Sequence, residues 1–156
     1  THIVHWLEHR IPPPVVAVLV AAGMWLLARY WPIVHFSVPS PVLVGFVVAA
    51  IGGLVSTAGA REFRRLKTTV NPLHPDRASI IVTTGIYRHT RNPMYVGIGF
   101  VLLGCFLAFG GLSAALGLPA FVWYITHFQI IPEERALEAK FGGEYTAYRA
   151  RVRRWL

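Results

Sequence analysis

Residues 85–97, Gly-Ile-Tyr-Arg-His-Thr-Arg-Asn-Pro-Met-Tyr-Val-Gly, gather two guanidiniums, an imidazole, a carboxamide and two phenols just before a long apolar run. That run ends at a second polar cluster, Pro132-Glu133-Glu134-Arg135. Arg88 and Arg91 can grip a carboxylate or phosphate through the forked geometry of the guanidinium. Asn92 offers both a donor and an acceptor, and Tyr87 and Tyr95 offer aromatic faces with polar tips. Glu133 and Glu134 accept hydrogen bonds from hydroxyls or an ammonium. His89 is a candidate acid–base group. So is His127, because a continuous helix would align it with Glu134 seven residues later. Each cluster alone has a plainer use: arginines hold lipid phosphates, and two acids suit the positive end of a helix dipole. Chemistry requires that the clusters meet.

The intervening segment makes them meet. Residues 96–131 contain no Asp, Glu, Lys or Arg, and only Gly110-Gly111 interrupts them. Two antiparallel helices of roughly 17 residues, each ~26 Å long, cross a bilayer and return. The whole chain of 156 residues reads the same way, with 54% hydrophobic and only 14% charged residues. Soluble domains carry about a quarter charged residues. The expected fold is therefore all-α, an integral membrane helical bundle forming a single domain. Its spans lie at about 14–31, 42–60, 95–109 and 112–131, with a C-terminal amphipathic helix. Gly45, Ala49, Gly53 and Thr57 place a small residue at every fourth position of the second span, a ridge suited to close helix packing inside the bundle.

The net charge of +8 follows membrane topology rather than a nucleic-acid surface. Arg61, Arg64, Arg65, Lys67, Arg77, Arg88 and Arg91 lie between the second and third spans. Arg135, Lys140, Arg149, Arg151, Arg153 and Arg154 follow the fourth. Loop 32–41 and the Gly110-Gly111 turn carry no Lys or Arg. The positive-inside rule then puts both termini, and a cofactor region formed by 61–97 and 132–156, in the cytoplasm. The cations serve anionic lipid, with no nucleic-acid partner expected. Cys105 lies inside an apolar span without a metal-ligand neighbour, and no metal is expected. His2, His5 and His9 precede a proline run and read as an interfacial anchor. Asn71-Pro72 and His74-Pro75 mark turns in the middle loop. In the last segment Tyr145, Tyr148, Val152 and Trp155 share one side of a basic helix expected to lie at the membrane interface.

A ligand with an amino-acid end, a ribose and a base suits this combination of groups, and S-adenosylmethionine is such a ligand. Residues 85–97, with Glu133-Glu134 and the stretch Phe-Gly-Gly-Glu-Tyr-Thr-Ala-Tyr at 141–148, closely resemble the isoprenylcysteine carboxyl methyltransferase family. The related phospholipid N-methyltransferases share the pattern. The resemblance covers roughly residues 61–155. In the family pattern Arg-His-Pro-x-Tyr-x-Gly, Arg91, Pro93, Tyr95 and Gly97 match, while Asn92 replaces the histidine and cannot titrate near neutral pH.

The resemblance implies a multi-pass membrane methyltransferase using S-adenosylmethionine at its cytoplasmic side. It implies that Arg91 and Glu134 are catalytic, Arg91 orienting the reacting group of the substrate. Tyr87, Arg88, His89, Arg91, Asn92, Pro93, Tyr95, Gly97, Glu133 and Glu134 are the implied cofactor contacts. The expected partners are membrane lipids and a lipophilic or lipidated substrate. Prenylcysteine, a phospholipid amine and a thiol all remain open as methyl acceptor, as does oligomeric state. Two other functions stand beside it: a nicotinamide-dependent membrane reductase of sterol-reductase type, and a non-enzymatic lipid-binding protein. The acidic pair and the short chain favour the methyltransferase.

Overall fold

The computed structural model describes residues 10–66 and 80–156. His2, His5, His9, Lys67, the turns at 71–72 and 74–75, and Arg77 lie outside the described residues. Helix α1 spans Pro13–Tyr30, α2 Pro41–Arg65 and α3 Pro93–Phe109. Each opens with a proline in its first turn, where a fixed φ helps and the missing N–H costs nothing. The return arm is one helical stretch, Leu112–Phe141. It is built from a 3₁₀ turn (Leu112–Leu116), α4 (Gly117–Ile125), a π turn (Thr126–Ile130) and α5 (Ile131–Phe141). Gly142, at φ 56°, breaks it before α6 (Gly143–Arg151). The architecture is an all-helical bundle, as expected.

Both far loops knit together at one end. Gly110 adopts φ 73°, closing α3 by donating its N–H to the Phe106 carbonyl and reversing the chain. Phe36 N–H donates to Gly110 O and Leu112 N–H to Val34 O, both at 2.9 Å. The first residues of α3 and the last of α5 are thereby returned to the opposite end. There the Gln129 side chain donates to the Ile11 carbonyl at 2.9 Å, tying the return arm to the start of the described chain.

Three helical stretches, Pro13–Tyr30, Pro41–Arg65 and Leu112–Phe141, are long and apolar enough to cross a bilayer. Helix α3 is apolar and shorter, at 17 residues. Val18, Leu19, Phe46 and Leu54 stand well exposed on the outside of α1 and α2. An apolar surface of that extent belongs against lipid. Helix α2 continues to Arg65 instead of ending near residue 60. Ala, Arg and Glu in its last turns are strong helix formers, and Glu62 pairs with Arg65 at 3.0 Å.

The small-residue ridge on α2 is real, but its register differs from a strict four-residue repeat. Gly45, Gly52 and Gly59 are the buried glycines, while Gly53 and Thr57 face outward. Steps of four walk around a helix of 3.6 residues per turn, whereas a seven-residue step stays nearly on one face. A Cβ on Gly45 would come within 2.6 Å of the Gly104 carbonyl on α3. One on Gly52 would strike the Gly97 carbonyl, and one on Gly59 would lie 2.8 Å from Pro93. The α2 and α3 backbones therefore approach more closely than side chains allow. The Ser56 hydroxyl seals the contact by donating to Met94 O at 2.9 Å.

Helix α6 is short, and its aromatic face is not at a lipid interface. Tyr145 and Tyr148 are buried with Val82, Tyr87, Phe63 and Leu137. Val152 is extended (φ −124°, ψ 132°), so the helix stops before Trp155 instead of including it.

Gly52→Ala should lower stability by about 1–3 kcal/mol, the ordinary penalty of overpacking, whereas Gly53→Ala, with open space for its methyl, should leave stability unchanged or raise it by up to ~1 kcal/mol. Denaturation of both variants in detergent checks this; equal midpoints would contradict the packing described.

Candidate active site

The hairpin mouth is organised around Glu134, in the first turn of α5. Arg91, in the turn before α3, donates from Nη1 to Glu134 Oε1 at 2.9 Å. Both side chains are buried, at 9% and 8% exposure. Arg154 closes on the same carboxylate from the C-terminal segment, donating from Nε to Oε1 and from Nη2 to Oε2, each at 2.9 Å. The two clusters separated by the apolar hairpin thus touch. A carboxylate offers about four acceptor positions, and these three charge-assisted hydrogen bonds fill most of them.

The acidic neighbour is held by the other arm. Tyr95, one turn into α3, donates its hydroxyl to Glu133 Oε1 at 2.5 Å. Asn92 ends the preceding turn, and its side-chain amide donates to the Arg154 carbonyl at 2.8 Å. Its own backbone N–H donates to the Thr90 hydroxyl at 3.1 Å. Arg91 Nη1 also reaches the Tyr145 hydroxyl at 3.3 Å. Burial pushes the Tyr145 phenol above its ordinary range and the Glu134 charge adds to this, while the hydrogen bond from Arg91 works against it. Tyr145 is therefore a neutral phenol at physiological pH. The Glu134 carboxylate raises the Arg154 guanidinium further, so that group is a permanent cation.

One donor at the centre has no acceptor. Arg91 Nε is buried and meets no partner among the described residues. An unpaired buried N–H costs of order 1–3 kcal/mol, and each such group calls for an explanation.

The remaining residues named from sequence divide by position. Tyr87 lies one layer behind, buried against Phe63, with its carbonyl accepting from the Tyr148 hydroxyl at 2.8 Å. Burial raises both phenols well above the usual range. Arg88 and His89 are exposed on the outer side of the loop. Pro93 and Gly97 face α2 at the close backbone contact. The structure brings Arg91, Asn92, Tyr95, Glu133 and Glu134 together; Tyr87, Arg88, His89, Pro93 and Gly97 surround or support them. No group of three or more potential metal-ligating side chains occurs among the described residues.

His127 does not join Glu134. The π turn at Thr126–Ile130 rotates the chain less per residue than an α-helix, so a seven-residue spacing no longer keeps one face. His127 is instead exposed, its ring Nδ1 lying 2.8 Å from the Trp123 carbonyl and its ring packed on the Trp123 indole. Conversely, Arg154 and Tyr145 belong to the cluster without having been singled out for it. The signal for Tyr145 was the tyrosine repeat on α6, which fits a buried face as well as a membrane-facing one.

Comparison with known proteins places the sequence among methyltransferases. The sequence pattern of the phospholipid methyltransferase family matches residues 40–144. An uncharacterized protein of Haemophilus influenzae is 46% identical over 63 residues, covering 40% of this chain and all of that protein. The protein-S-isoprenylcysteine O-methyltransferase of Schizosaccharomyces pombe is 34% identical over 73 residues, covering 47% of this chain and 31% of that protein. No solved structure matches significantly. The matched region runs from the start of α2, through both arms of the hairpin, into the first residues of α6, and the chain belongs to the phospholipid methyltransferase family.

Proposed function

We propose that this protein is an S-adenosylmethionine-dependent methyltransferase that modifies a lipophilic or membrane-associated acceptor at the cytoplasmic face of the membrane. The observation that carries the proposal is the meeting of Arg91 with Glu134 at 2.9 Å, in a chain of this family, with a buried guanidinium N–H that meets no acceptor among the described residues.

The donor set fits the cofactor. Arg91 Nε can donate to a carboxylate or to the acceptor's reacting oxygen. The lone pair remaining on Glu134 Oε2 and the carboxylate of Glu133 can receive an ammonium or ribose hydroxyls. The Tyr95 ring, buried beside them, supplies an aromatic surface. S-adenosylmethionine supplies a methyl group activated on a sulfonium. The chain's own work is alignment: Arg91, held by Glu134 and Tyr145, cannot rotate away from the mouth, and fixing two reactants can supply several kcal/mol of rate enhancement. Glu134 is poorly placed to accept a proton because two guanidiniums engage its lone pairs, and His89 stands outside the cluster. Glu133, engaged on Oε1 by the Tyr95 hydroxyl, keeps its other oxygen for a proton, so an acceptor that must lose one is served as well as a carboxylate.

The orientation rests on charge. Arg61, Arg64, Arg65, Arg88, Arg91, Arg135 and the C-terminal arginines cluster at the Glu134 end, whereas Arg29 stands alone near the far end of α1. The positive-inside rule assigns the Glu134 end to the cytoplasm.

Purified protein should bind S-adenosylhomocysteine and not NADPH in calorimetry. Arg91→Gln should weaken that binding tenfold or more, about 1.5–3 kcal/mol, while His89→Ala changes it little. Binding of NADPH alone would point to the reductase. Incubation with methyl-labelled cofactor and membrane lipid extract should transfer label to the lipid fraction or to a lipidated component; absence of transfer to any extract component would contradict the proposed reaction.

A further inference from the structure

Residues 152–156 lie across the mouth of the hairpin and bond to both arms. Toward the α3 side, the Arg153 carbonyl accepts from the Arg91 backbone N–H at 2.9 Å. The Arg154 carbonyl accepts from the Asn92 amide at 2.8 Å and from the Thr90 hydroxyl at 3.4 Å. Toward the return arm, the Arg154 side chain forks onto both oxygens of Glu134. Trp155 Nε1 donates to the Thr126 hydroxyl at 3.1 Å, and its indole packs edge-on against the buried ring of Phe121. The segment is extended at Val152, which spreads its donors and acceptors to opposite sides as a helix would not.

Resting on the methyltransferase activity proposed above, we propose that this C-terminal segment is a strap that completes the ligand site, with Arg154 as its positioning residue. Glu134 has a choice of rotamers, and Arg91 alone bonds only one of its oxygens. The two-point fork from Arg154 fixes the plane of the carboxylate, which fixes where Arg91 points and which lone pair stays free for a ligand. The backbone carbonyl of the same residue holds Asn92, so one strap residue sets both polar groups that begin α3. Arg154 acts through Glu134, Arg91 and Asn92, not on the reacting atoms. A lysine there would keep the charge and lose the fork.

The test uses the whole chain in detergent, with Arg154→Gln, Arg154→Lys and, as a charge-matched control, Arg151→Gln, whose side chain among the described residues bonds its own helix at Ala147. Two quantities are read: hydrogen-exchange protection of residues 85–97, and affinity for S-adenosylhomocysteine. Arg154→Gln should lower protection of 85–97, leave residues 45–59 of α2 unchanged and weaken binding at least tenfold. Arg154→Lys should recover only part of the affinity, and Arg151→Gln should match wild type. Unchanged protection in Arg154→Gln would overturn the strap itself. Lower protection with unchanged affinity would make the strap structural only and overturn the positioning role. Full rescue by lysine would overturn the fork. If wild-type protein binds no S-adenosylhomocysteine, the proposed activity fails and the ligand role of Arg154 with it; the exchange result still decides whether the strap exists.

Discussion

One carboxylate, Glu134, is buried between two guanidiniums, and the geometry of the whole polar end of the hairpin depends on it. Taking a carboxylate and an arginine out of water costs several kcal/mol per ion, and only close, well-directed hydrogen bonds offset that. Three bonds at 2.9 Å do so here. Because Arg91 precedes α3, Glu134 opens α5 and Arg154 lies past α6, the trio joins three segments far apart in sequence. Loss of the carboxylate would strip the buried Arg91 guanidinium of its ion-pair partner among the described residues and release Arg154 with it.

That polar junction can form only because the apolar part of the hairpin is rigid. Lipid provides little hydrophobic drive between helices, so close backbone packing must hold them. The approach of Gly45, Gly52 and Gly59 to α3 supplies it and sets the height at which Arg91 emerges. On the return arm the π turn rotates Phe128, Gln129 and Ile130 inward and presents Glu133 and Glu134 to the mouth. Packing within the membrane and chemistry at its edge are consequences of the same helix registers.

Much of this was legible in the sequence because membrane constraints are coarse. An uncharged stretch with one Gly-Gly break allows few paths, so the meeting of Arg91 with Glu133 and Glu134 followed from length alone. The residue types around 85–97 likewise marked the polar cluster that the structure assembles. What the sequence did not show were rotations. The glycine ridge follows a seven-residue register that its four-residue spacing disguised. The π turn that removes His127 from the Glu134 face leaves no signature in residues 126–130. The tyrosines of α6 looked membrane-facing because an aromatic, basic helix has the same composition whether it covers lipid or protein. Arg154 was hidden among four arginines in 149–154, where only the extended backbone at Val152 selects which one turns inward.

The most direct measurement of the central interaction is a double-mutant cycle on unfolding free energy in detergent, with Arg91→Gln, Glu134→Gln and the pair. Contact across a buried ion pair predicts strong non-additivity, with a coupling of about 1–3 kcal/mol between the two sites. Additive effects within about 0.5 kcal/mol, as for residues that do not touch, would contradict the account.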